Sequence, residues 1–378
     1  MNKLHSIPMV DLGLQYQTMQ AEIDEAIRQV IDSQSFIKGE FVEQFESHLQ
    51  DYLHVKHVIG VSSGTSALYL ALLALQIGEG DEVIVPSFTF VATAEAVVLV
   101  GAKPVFADVD WETMNIDVAD VERKITPKTK AIIPVHLYGL CADMQAILAL
   151  ANKHSIVVVE DACQSMGSKC KLEGEYKHAG TLGKIGCTSF FPSKNLGCYG
   201  DGGAVFTDDD ALADLVRSLA NHGMGNRKYH SEQVGINSRL DTLQAAILDV
   251  KLRHLDTFLQ KRRQVAKNYE KALQNEPHFL LPQYDENSHS FHQYTLRIVD
   301  FSREKVQKSL SQAGIASAVY YPEPIHLQPA YAFLGYKKGD LPVTEKLCDS
   351  VLSLPMYPEL SEQKVAFICE KLVESLTL

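Results

Sequence analysis

Short apolar runs alternate with amphipathic segments over the first two thirds of the chain. The apolar runs have the length of buried strands, and each is followed by a segment with helical spacing. The predicted strands are Val58–Val61, Glu82–Pro86, Pro104–Val109, Ala131–Val135 and Ile156–Asp161, and the predicted helices are Ser66–Leu75, Thr93–Val100, Val118–Ile125 and Met144–His154. Strands that are apolar on both faces and alternate with helices predict an α/β fold with an open, mostly parallel sheet covered on both sides.

The pattern changes in the last third of the chain. After a strand at Ala204–Thr207, a long charged helix is predicted at Asp241–Leu273, suited to bridging two lobes. The last three predicted elements are a strand, a helix and a strand, at Gln293–Val299, Glu304–Ala313 and Ala316–Tyr320. They indicate a small α+β domain. We therefore predict a large domain over residues 1–250 and a small C-terminal domain over residues 251–378.

The composition restricts the functions that need to be considered. The chain has 378 residues, 46% hydrophobic and 22% charged, and a formal net charge of −12, which argues against a general binder of nucleic acid or anionic membranes. No apolar run reaches the length of a membrane span. The seven cysteines form no Cys-x-x-Cys pair and no His/Cys metal spacing, and Met1–Pro8 lacks an apolar signal core. We expect a cytoplasmic protein with reduced thiols and no metal site.

Lys194 is the first candidate for chemistry. It lies in the short polar, glycine-containing break Pro192–Gly197, directly after the run Gly186–Phe191. In a pocket, a lysine can lose its proton because desolvation penalises the charged form. The neutral amine is then a nucleophile that bonds covalently to carbonyl groups. Most lysines are surface charges, so the neighbouring motifs decide whether this one has a chemical role.

Two further motifs follow predicted strands, where ligands bind in open α/β sheets. The segment Gly60–Leu68 turns from a strand into a helix through small residues, and the helix N-terminus suits a phosphate, although a Ser/Thr-capped helix would have the same sequence. Phe88 and Phe90 could line a flat ring or pack in the core.

The apolar strand at Ile156–Asp161 ends in two carboxylates, Glu160 and Asp161. An unpaired buried charge is costly, so one carboxylate could face a cation while the other could cap the next segment. Asn237 and Arg239 add an amide and a guanidinium before the long helix. Together the motifs offer a phosphate site, a ring contact, a carboxylate for a ring nitrogen and an amine. This set matches pyridoxal 5'-phosphate.

In this order the motifs resemble the pyridoxal-phosphate-dependent nucleotide-sugar aminotransferases, the DegT/DnrJ-type branch of the aspartate aminotransferase fold. The resemblance runs from Pro8 to Tyr357 and implies a fold-type I transferase. Lys194 would bond covalently to the cofactor and shuttle protons. The other implied cofactor contacts are Asp161 at the pyridine nitrogen, Gln164 at the ring hydroxyl, Phe90 stacked on the ring, and the Thr65 and Ser66 amides with the Ser189 hydroxyl at the phosphate.

The resemblance also implies a second subunit. Asn237 would reach the phosphate of the neighbouring subunit's cofactor, so a homodimer with shared active sites is expected. Arg239, Tyr320 and Tyr321 would face the substrate near that interface. Many close relatives have His-Tyr-Pro where this chain has Tyr320-Tyr321-Pro322, which leaves the sugar contact open.

The implied reaction transfers an amino group from L-glutamate to a keto sugar linked to a nucleoside diphosphate. Related sugar dehydratases have a histidine in place of Lys194, so the lysine favours transamination. The segments Asp11–Tyr16 and Tyr321–Gln328 are most similar to enzymes that aminate C3 of 3-oxo UDP- or dTDP-sugars. Amination at C4 is the alternative.

Two other classes of protein are alternatives to the transaminase. Some relatives were named as regulatory proteins, so a non-catalytic role is an alternative, which the complete lysine, aspartate and phosphate set disfavours. A nicotinamide-dependent dehydrogenase is disfavoured because no Gly-x-Gly-x-x-Gly follows the first strand.

Overall fold

The computed structural model describes residues 6–225, 227 and 229–377; residues 1–5 of the predicted Met1–Pro8 start lie outside this range. The helices are α1 (Leu12–Ser33), α2 (Glu40–Leu53), α3 (Gly64–Ala74), α4 (Ala92–Leu99), α5 (Val118–Lys124), α6 (Met144–His154), α7 (Asp210–Leu219), α8 (Thr242–Leu273), α9 (Arg303–Gln312), α10 (Pro342–Ser350) and α11 (Glu362–Glu374). The strands are β1 (His57–Val61), β2 (Glu82–Pro86), β3 (Lys103–Ala107), β4 (Thr129–Ile132), β5 (Val157–Asp161), β6 (Lys169–Leu172), β7 (Glu175–His178), β8 (Ile185–Ser189), β9 (Gly203–Thr207), β10 (Phe279–Leu280), β11 (Tyr294–Ile298) and β12 (Val351–Leu354).

A seven-stranded sheet forms the centre of the molecule, in the order β1-β9-β8-β5-β4-β2-β3. Its pairs are parallel except those made by β9, which runs antiparallel to β1 and β8. All five residues of β2 are buried, as expected for a strand covered on both faces. The mostly parallel sheet predicted from the apolar runs is therefore confirmed.

Helices cover both faces of this sheet because neighbouring residues of each strand point to opposite sides. Val83 and Val85 pack on one side with α3 and α4, and Ile84 packs on the other side with α6. This arrangement leaves the carboxyl ends of β1, β2, β5 and β8 at one edge of the sheet, where their loops can meet.

Helix α8 joins the central sheet to a second core. Its first half packs against α2 and the sheet through Leu248 and Leu255, whereas Tyr269 and Leu273 belong to a separate cluster with β11 and α11. That cluster surrounds a three-stranded antiparallel sheet in the order β10-β11-β12. A boundary at residue 250 would lie inside α8, and this division of the chain stays a prediction.

One predicted strand is wrong. The segment Ala316–Tyr320 makes a single antiparallel bridge, between Ala318 and Ser353, and is not a strand. The third strand of the small sheet is β12, which comes later in the chain. Beyond Ala318 the chain leaves the sheet edge, and Tyr320 lines a cavity at the large sheet instead. The residues of this segment therefore pack in two different places, Ala318 at the small sheet and Tyr320 at the cavity, and do not form one face of a strand.

Among the described residues, none of the helices combines the length and the apolar character that a membrane crossing requires.

Candidate active site

A cavity of about 460 Å³ lies at the carboxyl ends of β1, β2, β5 and β8. Most of the site residues predicted from the sequence line it, although they are far apart in the chain. These are Thr65, Phe90, Asp161, Gln164, Ser189, Lys194, Tyr320 and Tyr321. The fold thus brings a lysine amine, the Asp161 carboxylate, a helix N-terminus and several aromatic rings to one cavity.

Lys194 lies in the loop after β8, and this loop is held at both sides of the lysine. The Asn195 side-chain amide donates to the Met166 and Ser290 carbonyls, at 3.3 and 3.2 Å. The buried Lys251 Nζ donates to the Gly197 carbonyl at 2.6 Å. At Gly197 a Cβ would come within 2.4 Å of a backbone oxygen, so only glycine fits. These contacts fix the position of the loop backbone from which the Lys194 side chain extends.

The chemical state of Lys194 is set by its surroundings. Burial lowers the pKa of its ammonium, while the nearby Cys163 and Asp161 oppose that shift. The net direction is downward, so the fold favours the neutral amine more than water does. A neutral amine is the nucleophilic form that the sequence analysis required.

His292 lies beside Lys194 and was not identified from the sequence. Its Nε2 is 3.5 Å from Lys194 Nζ, and its buried Nδ1 has no hydrogen-bond partner among the described residues. Burial, and then the Lys194 charge, place the pKa of His292 well below its ordinary value. The imidazole is therefore neutral at neutral pH. It can orient the Lys194 amine without the repulsion that a charged imidazole would exert on a protonated amine.

We expect His292→Leu to lower kcat about five-fold, because one orienting hydrogen bond to the amine is worth roughly 1 kcal/mol. His292→Gln keeps a polar group near the Nε2 position and should retain more activity. Steady-state kinetics at several pH values test this. A purely structural role is indicated if both variants lose activity equally and the kcat profile keeps its pH dependence.

Asp161 points its carboxylate into the cavity. Its two oxygens accept from the Thr93 hydroxyl at 2.8 Å and from the Cys163 amide at 3.1 Å. Both donors are neutral, and the residue is only 4% exposed. A buried carboxylate with neutral donors suits a cationic ligand group, because a charge buried without a partner is costly.

Glu160, the preceding residue, has the capping role. It is fully buried, and its carboxylate pairs with His136 Nε2 at 2.9 Å. It also accepts from the amides of Gly180, Leu182 and Gly183 at 2.8, 2.6 and 2.5 Å. The two carboxylates at the end of β5 thus divide the two roles that the sequence left open: Glu160 holds a loop, and Asp161 faces the cavity.

Glu160→Gln is expected to lower the free energy of unfolding by about 1.5–3 kcal/mol, because it weakens buried hydrogen bonds to a charged acceptor. The introduced amide group would also face backbone N–H donors. Urea unfolding measures the change. Glu122→Gln, which removes an exposed pair with Lys153, is the control and should leave the midpoint nearly unchanged. Equal midpoints for the two variants would contradict the capping role.

The start of α3 forms the remaining wall of the cavity. Ser63 caps this helix, since its hydroxyl accepts from the Ser66 amide at 3.1 Å. A Cβ at Gly64 would come within 2.8 Å of Cys163 Sγ and Ser189 Cβ, so glycine permits this close approach. Thr65 lines the cavity, whereas Ser66 does not. The Ser/Thr-capped helix is present, and its positive end lies at the cavity beside Ser189.

The aromatic residues also separate into two roles. Phe88 is 1% exposed and packs in the core, while Phe90 is 54% exposed and lines the cavity. Gln164 Nε2 donates to the Tyr321 hydroxyl at 3.0 Å, and its Oε1 accepts from the Tyr138 amide at 2.8 Å. Burial raises the pKa of Tyr321, so its hydroxyl stays protonated. The exposed ring of Phe90 is therefore available for stacking against a flat ligand ring in the cavity.

Asn237 and Arg239 do not reach the Lys194 cavity within one chain. They line a second cavity of about 400 Å³ together with Ser62 and Gln244. Asp201 lines both cavities. The expected contact of Asn237 with a neighbouring subunit's cofactor stays a prediction.

The donor set fits pyridoxal phosphate. A buried carboxylate is available for a protonated ring nitrogen, an exposed phenylalanine for the ring face, and a helix N-terminus for the phosphate. An amine with a lowered pKa completes the set.

Comparison with known proteins gives the same family as the sequence motifs. Residues 17–373 match the DegT/DnrJ/EryC1/StrS aminotransferase family. The chain belongs to this family. Membership confirms the resemblance inferred from the motifs, and the fold class with it.

The DegT/DnrJ/EryC1/StrS relatives match over almost the whole chain. The pleiotropic regulatory protein of Geobacillus stearothermophilus is 47% identical over 98% of both chains. The UDP-2-acetamido-2-deoxy-3-oxo-D-glucuronate aminotransferase of Pseudomonas aeruginosa is 47% identical, covering 97% of this chain and 99% of the relative. The crystal structure of S. venezuelae DesV in complex with a ketimine intermediate superposes with a TM-score of 0.93 at 40% identity, covering 98% of each chain.

Proposed function

We propose that this protein is a pyridoxal-phosphate-dependent aminotransferase that moves an amino group from L-glutamate to a keto sugar linked to a nucleoside diphosphate. The observation that carries the proposal is the convergence of Lys194, Asp161 and the α3 N-terminus on one cavity. The similarity to an aminotransferase of a 3-oxo UDP-sugar supports a 3-oxo UDP- or dTDP-sugar as acceptor. A 4-oxo sugar is the alternative, because the residues that carry the proposal are assigned to the cofactor and not to the sugar.

The cofactor supplies an aldehyde and a protonated pyridine ring that withdraws electrons from the reacting carbon. Asp161 holds the proton on the ring nitrogen. At a separation of about 4 Å and an effective dielectric of about 20, such a pair is worth on the order of 4 kcal/mol. Phe90 supports the ring, and the Thr65 amide with the Ser189 hydroxyl binds the phosphate.

Lys194 has two tasks in this proposal. Its amine would hold the cofactor through a covalent bond. Once free of that bond, Lys194 Nζ would act as the base and acid that moves the proton of the glutamate α-carbon. Burial lowers the pKa of the amine and so raises its neutral fraction at a given pH, which favours both tasks, because a protonated ammonium can neither attack nor accept a proton.

We also propose a homodimer in which Asn237 and Arg239 complete the partner's site. The second cavity opens beside Ile37, which is 47% exposed, and shares Asp201 with the Lys194 cavity. The preceding Phe36 is 45% exposed as well, and adjacent exposed apolar side chains beside an active-site cavity favour a covered surface. All seven cysteines are free, which supports a reducing cytoplasm as the location.

Mixed dimers test the shared site. Lys194→Ala and Asn237→Ala chains carrying different tags should each be weakly active alone. A mixture of exchanged subunits should regain about one quarter of the wild-type sites, because half the dimers are mixed and each has one intact site. The gain should appear only in the doubly tagged fraction. Independent sites would show no gain in that fraction.

Product analysis tests the reaction itself. The protein is loaded with pyridoxal phosphate and incubated with glutamate and a panel of 3-oxo and 4-oxo UDP- and dTDP-sugars. A visible band that shifts on adding glutamate, and a 3-amino sugar product, are expected. A protein that takes up no cofactor and gives no band would favour the regulatory alternative.

A further inference from the structure

Outside the active-site cavity, two cysteines approach each other closely. Cys141 Sγ and Cys170 Sγ are 2.6 Å apart, and both residues are thiols. Cys141 follows the loop after β4, and Cys170 lies on β6. Cys170 is buried, whereas Cys141 is partly exposed. Cys141 is therefore the member of the pair that is nearer to solvent.

The fold holds both cysteine backbones against one short segment. The Cys141 amide donates to the Ser288 carbonyl at 3.2 Å, and the Lys169 amide, next to Cys170, donates to the Asn287 carbonyl at 3.1 Å. The Asn115 side chain donates to the Cys141 carbonyl at 3.2 Å. Both sulfurs therefore start from anchored positions, and joining them requires only a small side-chain movement to the disulfide bond length of about 2.05 Å.

We propose that Cys141 and Cys170 are an oxidation site that forms a reversible intramolecular disulfide on exposure to hydrogen peroxide. The Cys141 sulfur attacks one peroxide oxygen, the O–O bond breaks, and the departing hydroxide takes the thiol proton and leaves as water. The Cys170 sulfur then attacks the oxidised Cys141 sulfur, the S–O bond breaks, and a second water leaves with the Cys170 proton. Two thiols lose two electrons, and one peroxide becomes two waters.

The two thiols have different roles in these two reaction steps. Burial, and then the neighbouring Cys141, raise the pKa of the Cys170 thiol. Cys170 therefore keeps its proton until the second step. Peroxide reaches the more exposed Cys141 first, and Cys170 resolves the oxidised product.

A metal site is the competing explanation for the pair. His136 offers a third ligand atom, and the three ligand atoms lie within 4.8 Å of one another. Both imidazole nitrogens are already engaged: Nε2 pairs with Glu160 at 2.9 Å, and Nδ1 accepts from the Ala142 amide at 3.1 Å. A metal on His136 would have to displace one of these two hydrogen bonds, which leaves the two thiols as the available groups and favours the disulfide.

Thiol counting after peroxide treatment tests the proposal on the full-length, cofactor-loaded protein. Denaturation and alkylation of the wild type should show the seven thiols falling to five, with one peptide pair linked through Cys141 and Cys170. Dithiothreitol should restore all seven. Cys141 should react about ten-fold faster than the buried Cys369.

Alanine variants make the result specific. Cys141→Ala and Cys170→Ala should abolish the linked peptide, whereas Cys369→Ala, the same thiol-to-methyl change in α11, should retain it. The proposal is overturned if both thiols stay alkylatable after treatment that oxidises Cys369, or if the link joins two chains. Stoichiometric zinc that protects both thiols in the purified protein would also overturn it.

Discussion

Replacing Lys194 with alanine is expected to lower kcat for transamination by about 10²–10⁴-fold, the contribution of a positioned acid–base group. The variant loses the covalent bond to the cofactor and the group that moves the proton. No other lysine lines the cavity in the described part of the chain, so a substitute within one subunit is not expected. Product formation from glutamate and a 3-oxo UDP-sugar measures the loss.

Lys153→Ala is the matched control for this experiment, because Lys153 is an exposed lysine of α6 that pairs only at the surface. It should keep wild-type activity. The Lys194→Ala protein should still bind the cofactor, but without the visible band that depends on the covalent bond. Sustained turnover by Lys194→Ala would falsify the assignment of Lys194 as the catalytic amine.

Asp161→Asn is expected to lower kcat by about 10³-fold. The change removes an ion pair worth on the order of 4 kcal/mol, and each 1.36 kcal/mol corresponds to about a factor of ten. Asparagine has nearly the same shape, so the cavity should persist. Single-turnover kinetics with glutamate separate this chemical effect from binding.

Thr93→Val is the control for Asp161→Asn. It removes the hydroxyl that donates to Asp161 but leaves the carboxylate charge in place. We expect only about a ten-fold loss, the value of one hydrogen bond to a charged group. If the two variants lose activity equally, the Asp161 charge is not the source of the effect.

Local patterns were sufficient to predict the central sheet and several of the residues that line the Lys194 cavity. The bounds of β2 and α6 were predicted correctly, because an apolar run or a periodic segment forms its element from its own residues. Asp161 ends β5, and Thr65 and Lys194 follow the ends of β1 and β8 by a few residues, so all three lie where the strand ends of the sheet meet. The cavity therefore follows from the order of elements in the chain.

Other features depend on contacts between residues far apart in sequence. Thr93 reaches Asp161, and His292 reaches Lys194, although 68 and 98 positions separate the partners. A lone threonine in a predicted helix, or a lone histidine before a strand, gives no indication of such a partner. The segment Ala316–Tyr320 has the composition of a strand, but its only sheet contact is one bridge at Ala318.

The sequence by itself determined that a lysine, a carboxylate and a helix N-terminus would share one edge of a parallel sheet. The tertiary structure alone decided which neighbour takes which role: Asp161 faces the cavity while Glu160 caps a loop, and Phe90 is exposed while Phe88 is buried. The reason is geometric. Neighbouring residues have nearly the same local pattern, but strand direction and packing place their side chains in different surroundings.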